Sequence, residues 1–147
     1  MNGHCLCGAV TFASTAVHEI GACHCTACRR WGGGPFMAVH CGTDVRFSGG
    51  ENMTIYASSK WAERAFCKKC GSHLYFKLLA TSEYFVPVGA FESNDFKLTS
   101  QVYIDRKPEY YSFADETTLL TEQQVLDRFS SCGNLAFSST KGTGLID

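Results

Sequence analysis

The sequence predicts a mainly β protein with one short C-terminal helix. Short apolar or alternating stretches recur along the chain, and the 11 Phe and 6 Tyr residues suit sheet packing. Only one segment shows convincing helical periodicity. Taken in order, residues 9–13, 36–40, 53–58, 64–67, 74–79, 84–88 and 101–104 read as strands. In "MTIYAS", Met53, Ile55 and Ala57 share one face and Thr54, Tyr56 and Ser58 the other, as a half-buried strand requires. The separators "WGGGP", "SGGEN" and "SND" carry turn chemistry. The helix is read from "TEQQVLDRFSSCG": Thr121 caps it with Gln124, Val125, Leu126 and Phe129 make an apolar stripe, and Gly133 ends it. Residues 1–132 are expected to form a single zinc-binding domain and residues 133–147, rich in Gly, Ser and Thr, a flexible tail.

Length and charge narrow the function classes. A chain of 147 residues buries about two-thirds of its unfolded surface, so it needs no disulfides merely to fold. Its nine cysteines therefore want another explanation. No apolar run long enough for a signal peptide or a membrane span is seen, so a cytoplasmic protein with no membrane partner is expected. Thiols are kept reduced there, which favours metal ligands or redox groups over a disulfide framework. The formal net charge is −1, and Lys and Arg occur in no run longer than a pair. Seven thiolates on two zinc ions would take that charge to about −4, which argues against a nucleic-acid partner.

Seven cysteines fall into three tight groups: Cys5-x-Cys7, Cys23-x-Cys25-x-x-Cys28, and Cys67-x-x-Cys70 followed by Gly71. Residues two apart in an extended segment face the same side, so Cys5 with Cys7, and Cys23 with Cys25, can aim both sulfurs at one ion. "FCKKCGSHLYF" places a tight turn between its two cysteines, with Gly71 free to go left-handed, as zinc-ribbon half-sites do. A redox pair would want a strand-helix context, and strand-like sequence flanks this turn on both sides. Closed structural zinc sites take four protein ligands and catalytic ones take three plus an open position. Cys5, Cys7, Cys67 and Cys70 would close one site, leaving Cys23, Cys25 and Cys28 to hold a second zinc with a free corner. The triplet could instead recruit His24, His40, Cys41 or His73 and become closed. His24 lies between two ligands that face one way and so should face the other, toward solvent or behind the site. Cys41 and Cys132 read as packed small hydrophobes, and His4, His18 and His40 as surface residues.

"HCLCGAVTF", "CHCTACRRWGGGPF" and "FCKKCGSHLYF", in this order and spacing, resemble the glutathione-dependent formaldehyde-activating enzyme family, also called the centromere protein V family. The similarity continues more weakly through "VPVGAFES" and "QVYIDRKPEYYSFAD" and covers roughly residues 3 to 115. In many members a histidine stands where this chain has Gln101, and an aromatic, often Trp, occurs near Tyr110. The resemblance implies an Mss4-like fold of small antiparallel sheets around a structural zinc held by Cys5, Cys7, Cys67 and Cys70. It also implies a catalytic zinc on Cys23, Cys25 and Cys28. Methionine sulfoxide reductases of the second type share that superfamily but need a redox cysteine in a late strand, whereas Cys132 sits at a predicted helix end.

The implied activity is a carbon-sulfur lyase acting on thiol-aldehyde adducts such as S-hydroxymethylglutathione, with glutathione as the small-molecule partner. Three thiolates and one zinc ion leave a net charge of −1, so an anionic thiol peptide needs compensation, which Arg29 and Arg30 could provide. Trp31 and the following glycines could line the pocket or simply pack and turn. The competing reading is a non-catalytic, zinc-stabilised binding module. A basic tail would favour it, and the chain has none. All-sulfur tetrahedral sites favour zinc, with iron the main rival.

Overall fold

The alternating stretches do pair as strands. The computed structural model describes residues 1–15 and 17–131, and among them are eleven strands and two α-helices. They gather into two compact units, one of Met1–Ile20 with Met37–Lys97 and one of Gly21–Phe36 with the described residues from Leu98 to Ser131. The fold is mainly β, as the periodicity predicts. Among the described residues no helix is long and apolar enough to cross a membrane.

In the first unit, β1 (Asn2–His4), β2 (Thr11–Ser14) and β5 (Val45–Ser48) make a three-stranded sheet in the order β1-β2-β5. Five further strands run β4-β9-β8-β7-β6: β4 (Phe36–Gly42) from Met37 on, β6 (Met53–Tyr56), β7 (Ala62–Cys67), β8 (His73–Leu78) and β9 (Tyr84–Pro87). The order follows from tight connections, each antiparallel neighbour from β6 to β9 being the next in sequence. Aromatic side chains fill the space between. Phe12 meets Phe91 edge-on at 5.0 Å and lies 5.6 Å from Phe47, which in turn packs 5.3 Å from Tyr75. Val10, Val39, Leu74 and Val86 are fully buried around them.

Strand β6 corrects one expectation. The register Met53↔Cys67 through Tyr56↔Arg64 is that of a strand, but Ile55 is 57% exposed and Tyr56 49%. The strand lies at the sheet edge, half-buried at Met53 and Thr54 and exposed on both faces at Ile55 and Tyr56, so alternation there marks pairing rather than a buried side.

Between β5 and β6 the chain turns through Gly49, whose φ of +82° and close approach to β2's entry both demand glycine. A Cβ there would stand 2.1 Å from the Ala9 carbonyl oxygen. Gly49→Ala is therefore expected to destabilise the protein by at least about 2 kcal/mol in denaturant melts. Gly50→Ala, where no atom lies within 4 Å, should change little.

The second unit holds β3 (Glu19–Cys23) from Gly21 on, β10 (Lys97–Val102) from Leu98 on, and β11 (Thr118–Leu120), ordered β11-β10-β3 with β10 and β11 parallel. Its two helices are α1 (Thr26–Gly32) and α2 (Glu122–Ser131). The capping box forms as the sequence predicts: Thr121 N donates to Gln124 Oε1 at 2.8 Å and Gln124 N to Thr121 Oγ1 at 3.3 Å. Val125 is buried and Leu126 and Phe129 half-buried. Gly133, Cys132 and the proposed tail lie outside the described residues.

Strands β1, β3, β5 and β11 are not predicted, and neither is helix α1. Its seven residues end in Trp31-Gly32, which reads as a turn, and its first position follows directly on a cysteine. The missed signals were Cys25 acting as N-cap and Arg29 and Arg30 in the last turn, where cations suit the helix dipole.

Candidate metal centre

In the first unit, Cys5 sits in a tight loop after β1, with its amide bonded to the Val10 carbonyl at 2.9 Å and its carbonyl accepting from Gly8 N at 2.9 Å. Cys67 ends β7, and Gly71 N donates back to its carbonyl at 2.7 Å to close the knuckle, Gly71 taking the expected left-handed φ of +78°. Leu6 N donates to Ser72 Oγ at 2.9 Å, fastening loop to knuckle. The sulfurs of Cys5, Cys7, Cys67 and Cys70 consequently lie within 4.8 Å of one another. Cys5 and Cys7 Sγ are 3.6 Å apart and Cys7 and Cys67 Sγ 3.9 Å. A tetrahedron with metal-sulfur bonds near 2.3 Å has edges of about 3.8 Å, so the geometry fits a closed four-thiolate site.

The proton affinities say the same. The hydroxyl and amide of Ser72 and the amide of Cys7 hold the Cys70 thiol down to about 5. At Cys7 the Ala9 amide favours the thiolate, but desolvation and the sulfurs of Cys5, Cys70 and Cys67 outweigh it and push the thiol up to about 11. Burial opposes ionisation of Cys5, and the bonds from Val10, Cys7 and Cys67 overcome it, so that thiol is lowered. Four sulfurs this close cannot all ionise without a cation among them.

In the second unit, Cys23 ends β3, Cys25 caps α1 and Cys28 lies in its first turn. Their sulfurs also fall within 4.8 Å of one another. The extended geometry expected for this segment stops at Cys25, whose Sγ accepts from Cys28 N at 3.3 Å. A strand end and a helix start, rather than one strand face, bring the three together. Cys28 is buried and the other two are half-buried. The Cys25 and Cys28 sulfurs, with burial, push the Cys23 thiol well above its ordinary range. No fourth His, Cys, Asp or Glu joins this group among the described residues. None of the eight described cysteines is in a disulfide.

The side chains considered as a fourth ligand are otherwise engaged. His40 is exposed, stacks on Phe85 at 4.7 Å and meets Glu83 Oε1 at 3.1 Å. Cys41 is buried with its thiol 3.5 Å from the Val39 carbonyl, the packed hydrophobe expected. His73 belongs to neither sulfur group. His24 is not part of the three-sulfur group and does not reach solvent: it is fully buried, which corrects the solvent alternative. Its ring bonds Tyr111 Oη at 2.6 Å and Gln101 Oε1 at 2.9 Å. Burial lowers its pKa, so the ring is neutral.

Arg29 is half-buried and Arg30 exposed, both in the last turn of α1. Arg29 Nε donates to the His24 carbonyl at 2.9 Å, a contact that spacing does not reveal. Tyr103 was missed altogether. It sits half-buried in the left-handed region at φ 56°, a costly conformation for an aromatic residue. Burial and the charges of Cys23 and Cys25 raise its phenol pKa, keeping the hydroxyl protonated.

A β fold carrying one four-cysteine and one three-cysteine group defines a class of protein with two candidate metal centres of unequal ligand number. The model of the glutathione-dependent formaldehyde-activating enzymes matches residues 1–106, and the chain belongs to that family. An uncharacterized lyase of Schizosaccharomyces pombe is 39% identical over 127 residues, 84% of this chain and 93% of that protein. A Halomonas elongata protein bearing the same family description is 32% identical over 85 residues, 51% of this chain and 54% of its own. A crystal structure of a Rhodobacter sphaeroides protein superposes with a TM-score of 0.56 at 28% identity, covering 67% of this chain and all of that one.

Proposed function

We propose that the chain is a zinc-dependent carbon-sulfur lyase for thiol-aldehyde adducts such as S-hydroxymethylglutathione. Cys5, Cys7, Cys67 and Cys70 hold a structural zinc and Cys23, Cys25 and Cys28 a catalytic one. The observation carrying this reading is the difference in ligand number: four sulfurs saturate a tetrahedral ion, and three do not. Family membership and the lyase name of the yeast relative support the reaction class.

A zinc ion on three thiolates supplies Lewis acidity at its open position, which keeps a guest thiol ionised near neutral pH. The protein's own residues do the rest. In adduct cleavage the carbon-sulfur bond breaks, the hydroxyl proton leaves its oxygen as the aldehyde forms, and sulfur departs with the electron pair. In the reverse direction the thiol sulfur adds to the aldehyde carbon and the aldehyde oxygen takes up a proton. Arg29 and Arg30 offset the negative charge of the three thiolates and the substrate's carboxylates. Thiols add to formaldehyde readily without help, so aldehydes other than formaldehyde belong to the same substrate class.

Elemental analysis with glutathione titrated into the protein tests this. Two zinc ions per chain are expected, one of them perturbed by the thiol. A single tightly held zinc indifferent to thiols would instead support a binding module.

A further inference from the structure

The histidine between the second centre's ligands is held on every side. His24 N donates to the Val102 carbonyl at 3.0 Å, and its own carbonyl accepts from Arg29 Nε at 2.9 Å. Its ring is just as constrained. Gln101, itself buried on β10, donates through Nε2 to Thr117 Oγ1 at 2.8 Å, which orients the amide so that Oε1 faces His24. An amide oxygen only accepts, so His24 Nε2 carries a proton and donates it to Gln101, while Nδ1 bonds the Tyr111 hydroxyl. Tyr111 is steadied in turn by Lys107, whose Nζ donates to its carbonyl and lies 5.0 Å from its ring centre. Phe113 closes the group, 6.1 Å from the His24 ring.

An apolar side chain would fill this space without a single hydrogen bond to satisfy. A fully bonded buried network instead fixes angles, and this one clamps the residue whose two chain neighbours are ligands. We propose that the buried Gln101-His24-Tyr111 chain positions Cys23 and Cys25 for metal binding, with Gln101 the positioning residue on which the His24 ring is anchored. The proposal rests on the reading that the three-cysteine group holds a metal ion. Neither Gln101 nor Tyr111 touches that ion; both act through His24. The network does for two thiolates what outer-shell carboxylates do for metal-bound histidines.

The test compares Gln101→Leu, which keeps the volume and removes the acceptor, with Gln101→Glu, which keeps an acceptor oxygen in place. Zinc affinity of each site is read by competition with a chromophoric chelator, ligand geometry by the absorption bands of the cobalt(II)-loaded protein, and folding by thermal melts. Gln101→Leu should weaken the second metal about 10- to 100-fold and shift that site's cobalt bands, leaving the first metal unchanged. Gln101→Glu should stay within a few-fold of the parent. Tyr111→Phe should weaken the second metal as well, and Tyr110→Phe, altering a residue that is 76% exposed, should not. Parent-like affinity and bands in Gln101→Leu would overturn the proposal, as would equal losses in the Leu and Glu variants, which would mean packing rather than the acceptor matters. If Gln101→Leu fails to fold, the Tyr111 and Tyr110 pair decides by the same readouts. A parent protein that binds one metal only would sink the underlying reading before any variant is compared.

Discussion

Cys67→Ser is expected to unfold the protein. The residue is fully buried at the end of β7, and its backbone closes the knuckle through bonds with Ser72 and Gly71. Serine fits that turn, so the loss would come from chemistry and not from shape. A hydroxyl stays protonated at neutral pH and makes a poor ligand, so if the four-sulfur group holds zinc as proposed, Cys5, Cys7 and Cys70 would no longer enclose it. Structural zinc contributes of order 10 kcal/mol in small metal-stabilised folds. Typical domains are stable by about 5–15 kcal/mol in total, so this one substitution is comparable to the whole margin. Circular dichroism with zinc analysis gives the answer. A near-native melt would show that the four-sulfur group is dispensable to the fold.

Cys25→Ser should do the opposite: keep the fold and abolish turnover. Cys25 caps α1 by accepting from Cys28 N, and serine is among the best N-caps, so the helix loses little. The second site drops from three sulfurs to two. Release of aldehyde from S-hydroxymethylglutathione should fall by more than about 100-fold, the upper end of what losing even an outer-shell partner costs. Melting should shift by no more than about 1 kcal/mol equivalent. A collapsed fold with this variant would mean that the two sites have been assigned the wrong way round.

The strand pattern and the three cysteine clusters were legible because each depends on local spacing, whereas the meeting of Cys5 and Cys7 with Cys67 and Cys70 was read from ligand counting and the family resemblance. Alternation marks a strand wherever one forms, and cysteines one or two residues apart declare their purpose at close range. What spacing cannot show is which residues from distant segments meet. Gln101 and Tyr111 stand 77 and 87 positions from His24, and only the pairing of β10 with β3 and the turn that follows bring them to it. Tyr103 was hidden for another reason: a left-handed aromatic is set by its surroundings against its own preference. Helix α1 is too short for periodicity to emerge from seven residues, of which one is a cysteine of the second sulfur group and one a glycine. Burial at β6 was misjudged because alternation does not tell an edge strand from an inner one.

The separation of Cys7 and Cys67, 60 positions apart yet 3.9 Å between sulfurs, also bears on how the molecule is made. Fastening so distant a pair removes chain freedom equivalent to about 4 kcal/mol by the loop-closure relation used for disulfides. On a ribosome the first fastener waits, half-built, until the second emerges, whereas all three sulfurs of the other group are synthesised within six residues. If both groups take metal, as proposed, the three-sulfur group is complete some 40 residues before the four-sulfur group on a growing chain, so it would be the first able to bind.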